Sequence, residues 1–456
     1  MELSIVILAA GRGTRMMSDL PKVLHTLAGK PLLEHVVQTA LTLKPDQIIV
    51  IYGYQGEQLK ARLKDYAIEW VEQKEQLGTG HAVACALPLL KDNNQVLILC
   101  GDVPLIHSET LQRFYQSVKN KDQLGLMTAR LEQPASYGRI VRDAAGHVLR
   151  IVEAKDATPE QLQIQEINPA IYLVATPLLK SWLPVLQNNN AQQEYYFTDI
   201  VNMAATQHID IVTTEPAYLS EIQGVNDRAQ LAALERIYQR QQAEKFMKQG
   251  VTLADPQRFD VRGEVTIAND VFIDVNVVLQ GKVDIASGCT IGPNTVLKNV
   301  TLGKNVGIEA FSYLEGAVVA ENAVVGPYAR LRPGSDIRAG AKVGNFVEIK
   351  KSVIGKKSKV SHLSYIGDAE LGEDVNIGAG TITCNYDGVN KFKTIIGNRV
   401  FVGSDSQLVA PVEIGDDAFI GAGSTITKNA PAGKLTISRA KQMTIDGWQK
   451  PLKKES

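Results

Sequence analysis

Cysteine is scarce in this chain and shows no pairing. Cys85, Cys100, Cys289 and Cys384 form neither a CxxC nor any other paired spacing, which excludes a disulfide framework and a cysteine zinc site. A reducing cytoplasm is the compartment this implies. No apolar run approaches the ~20 residues of a membrane span. Met1-Glu2-Leu3 leads straight into a strand, so no secretory leader is expected. Neither sign of charge is in excess, with 48 Lys and Arg against 49 Asp and Glu for a net −1, which argues against a general nucleic-acid binder. At 456 residues the chain exceeds a usual single core, so two or more domains are expected.

What is present is a period of six. From Ile267 to Ile426 an aliphatic residue returns every sixth position, often followed by glycine and, four places on, by a small residue. Ile291-Gly292 with Thr295, Val343-Gly344 with Val347, and Ile420-Gly421 with Ser424 are examples. Three such turns make one triangular coil of a parallel β-helix, with the aliphatics stacked inside. The register runs through 267, 273, 279, 285, 291 and 297, then 302, 308 and 314, then 325 to 349, 354 to 366, 371 and 377, and resumes from 396 to 426. That predicts roughly eight to ten coils at ~4.8 Å per strand.

The first half alternates strands and helices. Ser4–Leu8, Gln47–Ile51 and Val96–Cys100 are short apolar runs separated by helical segments, the pattern of a doubly wound parallel sheet. Ligands of such sheets bind beyond the carboxyl ends of the strands. After the first run comes LAAGRGTRM, Leu8 to Met16, then Pro21-Lys22 leading into a helix. Gly11 and Gly13 allow close backbone approach to an anion, while Arg15 and Lys22 supply charge for a triphosphate. The spacing is neither GxGxxG nor a Walker loop. After the third run, Asp102 in Gly101-Asp102-Val103-Pro104 suits a hard cation that bridges carboxylate and phosphate. Taken alone, it reads more readily as the cap of the following helix, and the neighbouring segments are what favour the cation. Gln73 to His81 adds an amide and a Gly-Thr pair suited to a pyrimidine edge. Arg228 to Lys248 is rich in helix formers and reads as a connecting helix.

Within the repeat, His362 stands two places after the inward Val360, so it projects outward, and an imidazole can accept a proton near neutral pH. Arg332, Lys350 and Tyr365 are separated by about one coil, which predicts that stacking brings two cations near one edge. The insert between Ile382 and Thr394 breaks the repeat as an external loop.

Together these motifs resemble, over essentially the whole chain, the bacterial bifunctional uridyltransferase and acetyltransferase family that makes UDP-N-acetylglucosamine for peptidoglycan and lipid A. The resemblance implies an α/β, Rossmann-like nucleotidyltransferase domain over residues 1–228 and a linker helix over 229–249. A left-handed β-helix acetyltransferase with a C-terminal tail would follow over 250–456, assembled as a homotrimer. It further implies UTP and acetyl-CoA as co-substrates and Mg²⁺ held by Asp102 and Asn226. Leu8, Ala9, Ala10, Gly11, Lys22, Gln73, Gly78, Thr79, Cys100, Gly101 and Asp102 would bind the nucleotide, with Arg15 at the phosphates. Gly138, Glu153 and Asn168 would hold the N-acetylglucosamine. The family continues the Asn168 motif with Thr-Gly, whereas this chain has Pro169-Ala170. In the second domain His362 would be the general base, Arg332, Lys350, Tyr365 and Asn376 would position glucosamine 1-phosphate, and Ala379, Asn385, Tyr386, Ser404, Ala422 and Arg439 would line the coenzyme A cleft. The alternative is a monofunctional sugar-phosphate nucleotidyltransferase whose β-helix serves only oligomerisation. A non-enzymatic scaffold would need repeated Thr-x-Thr pairs, which occur only at Thr381-Thr383 and Thr425-Thr427.

Overall fold

A computed structural model describes residues 2–53 and 55–453. The chain divides into two compact units, Met1–Tyr238 and Gln239–Ser456. In the first, a seven-stranded sheet has the order Asp210–Thr214, Gln123–Met127, Tyr172–Ala175, Gln95–Cys100, Leu3–Ala9, Gln47–Tyr52, Glu69–Glu72. The three apolar runs are adjacent parallel strands. The sheet is mostly parallel, as expected, and Tyr172–Ala175 is the exception, antiparallel to both neighbours. Burial on both faces explains why these strands carry unbroken apolar runs such as Ile5 to Ala9: Ile5 and Ile7 join one core and Val6 the other.

Strand register places the chemistry. Leu8 pairs with Cys100, and the Gly101 amide donates to the Leu8 carbonyl at 2.9 Å, so the two functional loops leave the sheet side by side. A second, antiparallel sheet of four strands, which the sequence pattern did not signal, sets Asn168 opposite Gly138. The helix expected directly after Pro21-Lys22 starts ten residues later. Lys22–Leu24 is a single 3-10 turn, a short hairpin follows, and the helix spans Leu32–Thr42.

In the second unit the inward register extends beyond its expected limits. Leu253 and Val261 stack below Ile273 and Leu279, Val319 fills the step between Leu314 and Val325, and buried Thr383 continues the series past Ile377. One face has eleven parallel strands, about 50 Å of stack at ~4.8 Å each. The other two faces form one sixteen-stranded sheet, because Phe259–Ile267, Val277–Ile285 and Val296–Leu302 pass through a corner unbroken. Pairing advances seventeen or eighteen residues per coil, as from Ile273 to Ile291 to Ile308, and twenty-five from Ile377 to Val402, where the insert leaves the stack. Each inward aliphatic, buried as completely as Ile291 or Val343, contributes roughly 1.5–3 kcal/mol of burial free energy. Small polar residues at the corners satisfy the turns. Ser352 and Ser358 donate to the next coil and accept the Ala369 and Val375 amides at 2.9 Å. The parallel coils fit the left-handed hexapeptide solenoid that the resemblance implies.

The connecting helix spans Arg228–Lys248 and serves two cores in succession. Leu231, Leu234, Ile237 and Tyr238 pack in the first unit, Ala243 and Phe246 in the second. Between them, buried Gln239 clamps an open strand edge: its Nε2 donates to the Val261 carbonyl at 2.9 Å, and its Oε1 accepts the Val261 amide at 2.7 Å. Gln239→Leu strands two buried backbone groups and is expected to cost roughly 2 kcal/mol or more. The expected readout is a melting transition of the β-helix lowered by several degrees, with faster exchange of the Val261 amide. An unchanged transition contradicts the clamp.

Candidate active sites

In the first unit a cleft of about 320 Å³ opens at the carboxyl ends of the central strands. It is lined by Leu8, Ala9, Ala10, Gly11, Lys22, Gln73, Gly78, Thr79, Cys100 and Asp102, all expected, and by Val23, Gln76, Ala82 and Glu194, which were not. Lys22 is the hub. Its ammonium is paired with Asp102 and lies 3.3 Å from Asn226 Oδ1. Gly13 permits this approach: its φ is +62°, and a Cβ there would fall 2.5 Å from Lys22 Cβ. Asp102 does not cap the next helix, Ser108–Ser117, whose N-cap is His107. Arg15 is exposed in a three-residue turn and stands outside the residues that line the cleft.

The cleft walls are held by amides. Gln76 Nε2 donates to the Ala10 carbonyl at 2.7 Å, and Gln73 Nε2 to the Gly78 carbonyl at 3.0 Å. Thr79 Oγ1 accepts the Phe197 amide. Burial pushes the Cys100 thiol up to about 12, so it stays protonated and is no nucleophile. Gln76 was missed because an amide in a loop gives no signal until the fold brings it 66 residues back to Ala10.

Gly138, Glu153 and Asn168 meet at the small sheet. A Cβ on Gly138 would lie 3.5 Å from the Glu153 carboxylate oxygens. Asn168 Nδ2 donates to Tyr172 Oη at 2.7 Å, and its Oδ1 accepts the Ala170 amide at 3.0 Å. Ala170 has φ +61°, the left-handed region that a glycine in the family's Thr-Gly would occupy freely, so Asn168 keeps the turn shape at the expense of backbone strain. Burial raises the Glu153 pKa, with Asp156, Asp199 and Glu194 adding to it and Thr198 opposing.

Among the described residues no group of three or more His, Cys, Asp or Glu is placed to hold a metal ion. Asp102 and Asn226 nonetheless turn one carboxylate and one amide oxygen toward a single cation, the Lys22 ammonium. Those are hard donors of the kind Mg²⁺ takes together with substrate phosphates.

In the second unit strand pairing aligns a column on the outer surface. Asn345 pairs with His362, and the register carries the column through Ala379, Ser404 and Ala422. His362 Nδ1 donates to Asn345 Oδ1 at 2.6 Å, which leaves Nε2 as the ring's acceptor. Asn345 was not anticipated, because seventeen residues of sequence separate it from the histidine. Arg439 reaches the end of the column, its Nη1 donating to the Ala422 carbonyl at 2.5 Å.

Arg332 and Lys350 occupy successive coils on a neighbouring face. Tyr365 is displaced from their column: it pairs with Glu348, and its ring folds over Gly367, where a Cβ would be 2.4 Å from the hydroxyl. Arg332 pairs with Glu348 at 3.0 Å and Lys350 with Asp368 at 3.1 Å, while Asn385 also donates to Asp368. Asn376 lies on the His362 face, one coil beyond Lys359. The insert folds back as a hairpin in which exposed Tyr386 bridges to Lys391, and Asp387 Oδ1 accepts the Val389 and Asn390 amides. Lys391, also not anticipated, is brought against Lys350. Burial opposes the Lys350 charge, but Lys391 and Asp368 contacts hold its pKa above the usual value, while facing Lys350 holds that of Lys391 below.

Because the folded-state pKa of Glu153 is raised, its ionised form costs stability once the pH exceeds that of a free glutamate, about 4.3. Glu153→Gln is therefore expected to raise the melting temperature at pH 7, with the gain shrinking to nothing toward pH 4. A variant that melts no higher at pH 7 contradicts this environment.

Residues 5–250 match the family model of the MobA-like NTP transferase domain, and residues 264–299 and 393–428 match that of the bacterial transferase hexapeptide. The chain is 54% identical to the bifunctional protein GlmU of Marinobacter nauticus over 99% of each chain. It is 55% identical to that of Stutzerimonas stutzeri over the whole of both, and 51% to that of Cupriavidus pinatubonensis over 99% of each. With a cleft at the strand ends of one unit, a histidine column in the other, and this identity end to end, the chain belongs to the GlmU family of bifunctional transferases, a nucleotidyltransferase followed by a hexapeptide acetyltransferase.

Proposed function

We propose that the two constellations work in series, from the carboxyl to the amino unit. The second acetylates glucosamine 1-phosphate from acetyl-CoA, and the first transfers uridylyl from UTP to the resulting N-acetylglucosamine 1-phosphate, releasing pyrophosphate. The observation that carries this reading is that each unit has its own group suited to its own step: the Lys22–Asp102–Asn226 cluster in one and the oriented His362 in the other. A β-helix serving only oligomerisation would have no need of an outward histidine held in one tautomer.

For acetyl transfer, His362 Nε2 takes a proton from the sugar amine as the amine lone pair attacks the thioester carbonyl, and it passes that proton to the sulfur as the carbon–sulfur bond breaks, so coenzyme A leaves as the thiol. Asn345 holds the ring so that Nε2 keeps its lone pair. Arg332, Lys350 and Lys391, with Tyr365 and Asn376, receive the sugar phosphate. The small residues Ala379, Ser404 and Ala422 leave room along the column for coenzyme A, with Asn385, Tyr386 and Arg439 at its borders.

For uridylyl transfer, the sugar phosphate oxygen attacks the α-phosphorus in line with departing pyrophosphate, so alignment and charge neutralisation suffice. The backbone from Leu8 to Gly11 and the Lys22 ammonium hold the phosphates, with exposed Arg15 free to turn toward them. Gln73, Gly78 and Thr79 face the base, while Gly138, Glu153 and Asn168 face the acetamido sugar. Asp102 and Asn226 would hold Mg²⁺, which when bound supplies positive charge to the triphosphate.

The unit of function is proposed to be a homotrimer built through the β-helix, in the cytoplasm. Support for the trimer comes from the corner beside His362, where Phe311, Tyr328, Phe346 and Leu363 form an exposed ladder. All four have left-handed backbone, and the rings stack at 4.9 and 5.3 Å. Large apolar groups in that conformation suit a contact with another subunit. No helix among the described residues is long and apolar enough to cross a membrane.

Two assays test the division: thiol release from acetyl-CoA with glucosamine 1-phosphate, and pyrophosphate release from UTP with N-acetylglucosamine 1-phosphate and Mg²⁺. His362→Ala is expected to lower only the first, by 10²-fold or more. Asp102→Ala is expected to abolish only the second. Loss of both activities in either folded variant overturns the separation of the sites.

A further inference from the structure

The Gln73 amide is buried in the cleft wall, and its orientation is fixed by two contacts. Nε2 lies 3.0 Å from the Gly78 carbonyl oxygen and 3.1 Å from His81 Nδ1. A carbonyl can only accept, so the nitrogen end must stand at this point. One of its hydrogens goes to Gly78 and the other to His81, whose Nδ1 must then carry the lone pair. The ring proton consequently sits on Nε2, with the Cys85 sulfur 3.9 Å away as its neighbour. Both amide hydrogens are thereby committed inside the wall. Oε1 remains, an atom that can only accept, and among the described residues it takes no hydrogen bond.

We propose that His81, which touches no substrate, is a positioning residue that locks the Gln73 amide with Oε1 toward the base and so makes the cleft select a pyrimidine that carries hydrogen on N3. This rests on the reading above in which Gln73 faces the base. Uracil offers N3–H as a donor to Oε1. Cytosine offers a lone pair at the same position, and two acceptors facing each other in a closed site repel. Without His81 one Nε2 hydrogen has no partner. With the Gly78 carbonyl as its one remaining contact the amide swings more freely, and each swing takes Oε1 away from the base and weakens its reading of N3–H.

The choice of His81 replacement separates a hydrogen-bonding role from packing. Asn places a side-chain oxygen near the position of Nδ1 and keeps the acceptor, whereas Leu and Phe fill the space without one. Initial rates of pyrophosphate release with UTP and with CTP, as Mg²⁺ complexes, give the preference as a ratio of kcat/KM. The melting transition of the first unit, compared with that of the unsubstituted protein, monitors the fold. His81→Leu, or His81→Phe should Leu fold poorly, is expected to raise the KM for UTP roughly five- to tenfold with kcat little changed. The UTP preference is expected to fall by about tenfold, and His81→Asn to recover most of it.

If Asn behaves like Leu, or if Leu and Phe keep the full preference while Gln73→Ala loses it, the role of His81 is overturned and Gln73 still reads the base. If Gln73→Ala itself keeps the preference, the base-facing reading of Gln73 fails and the inference with it.

Discussion

The coil-to-coil register of the β-helix is the constraint on which the His362 column, the proposed acetyl-transfer site, depends. Parallel pairing lets each outward residue stand over its counterpart seventeen or eighteen residues away, or twenty-five across the insert, so a column is set by the inward aliphatics and not by its own contacts. Val343, Val360, Ile377, Val402 and Ile420 hold that register, and two places on from each stand Asn345, His362, Ala379, Ser404 and Ala422. A one-residue slip would turn the histidine inward and leave the proposed coenzyme path without its proposed base.

The first unit reaches a similar end by different means. Its central strands are buried on both faces, so their side chains have no freedom to face solvent, and chemistry is left to the loops at their carboxyl ends. Those loops are adjacent because Leu8 and Cys100 pair. Lys22 then crosses to Asp102, which requires that Gly13 have no side chain. Asn226 completes the cluster from 204 residues away, with the Val225 amide donating to the Asp102 carbonyl as the local tie.

Periodicity was legible where burial imposes it. The aliphatic register of the solenoid and the three apolar strands follow directly from side-chain pattern, and the motifs after the first and third strands mark the cleft proposed to take the nucleotide. What pattern could not supply was contact across long separations. Asn345 behind His362, Lys391 folded back by the Asp387-Gly388 turn, and Gln76 on the Ala10 carbonyl are polar residues in unremarkable settings whose meaning arises only from folding. Val319 and Thr383 escaped for a different reason: a five-residue step and a threonine both hide a register that burial nevertheless keeps. Ala170 shows the reverse, a conformation suited to glycine that the chain holds through the Asn168 side chain.

The central claim is that register alone lays the coenzyme path beside His362. Its most direct test is calorimetric titration of coenzyme A into the Ala379→Phe variant, whose bulk stands outward in the column and leaves the aliphatic stack intact. The account predicts a loss of affinity of at least tenfold, with pyrophosphate release from UTP unchanged. Wild-type affinity for coenzyme A in that variant would contradict it.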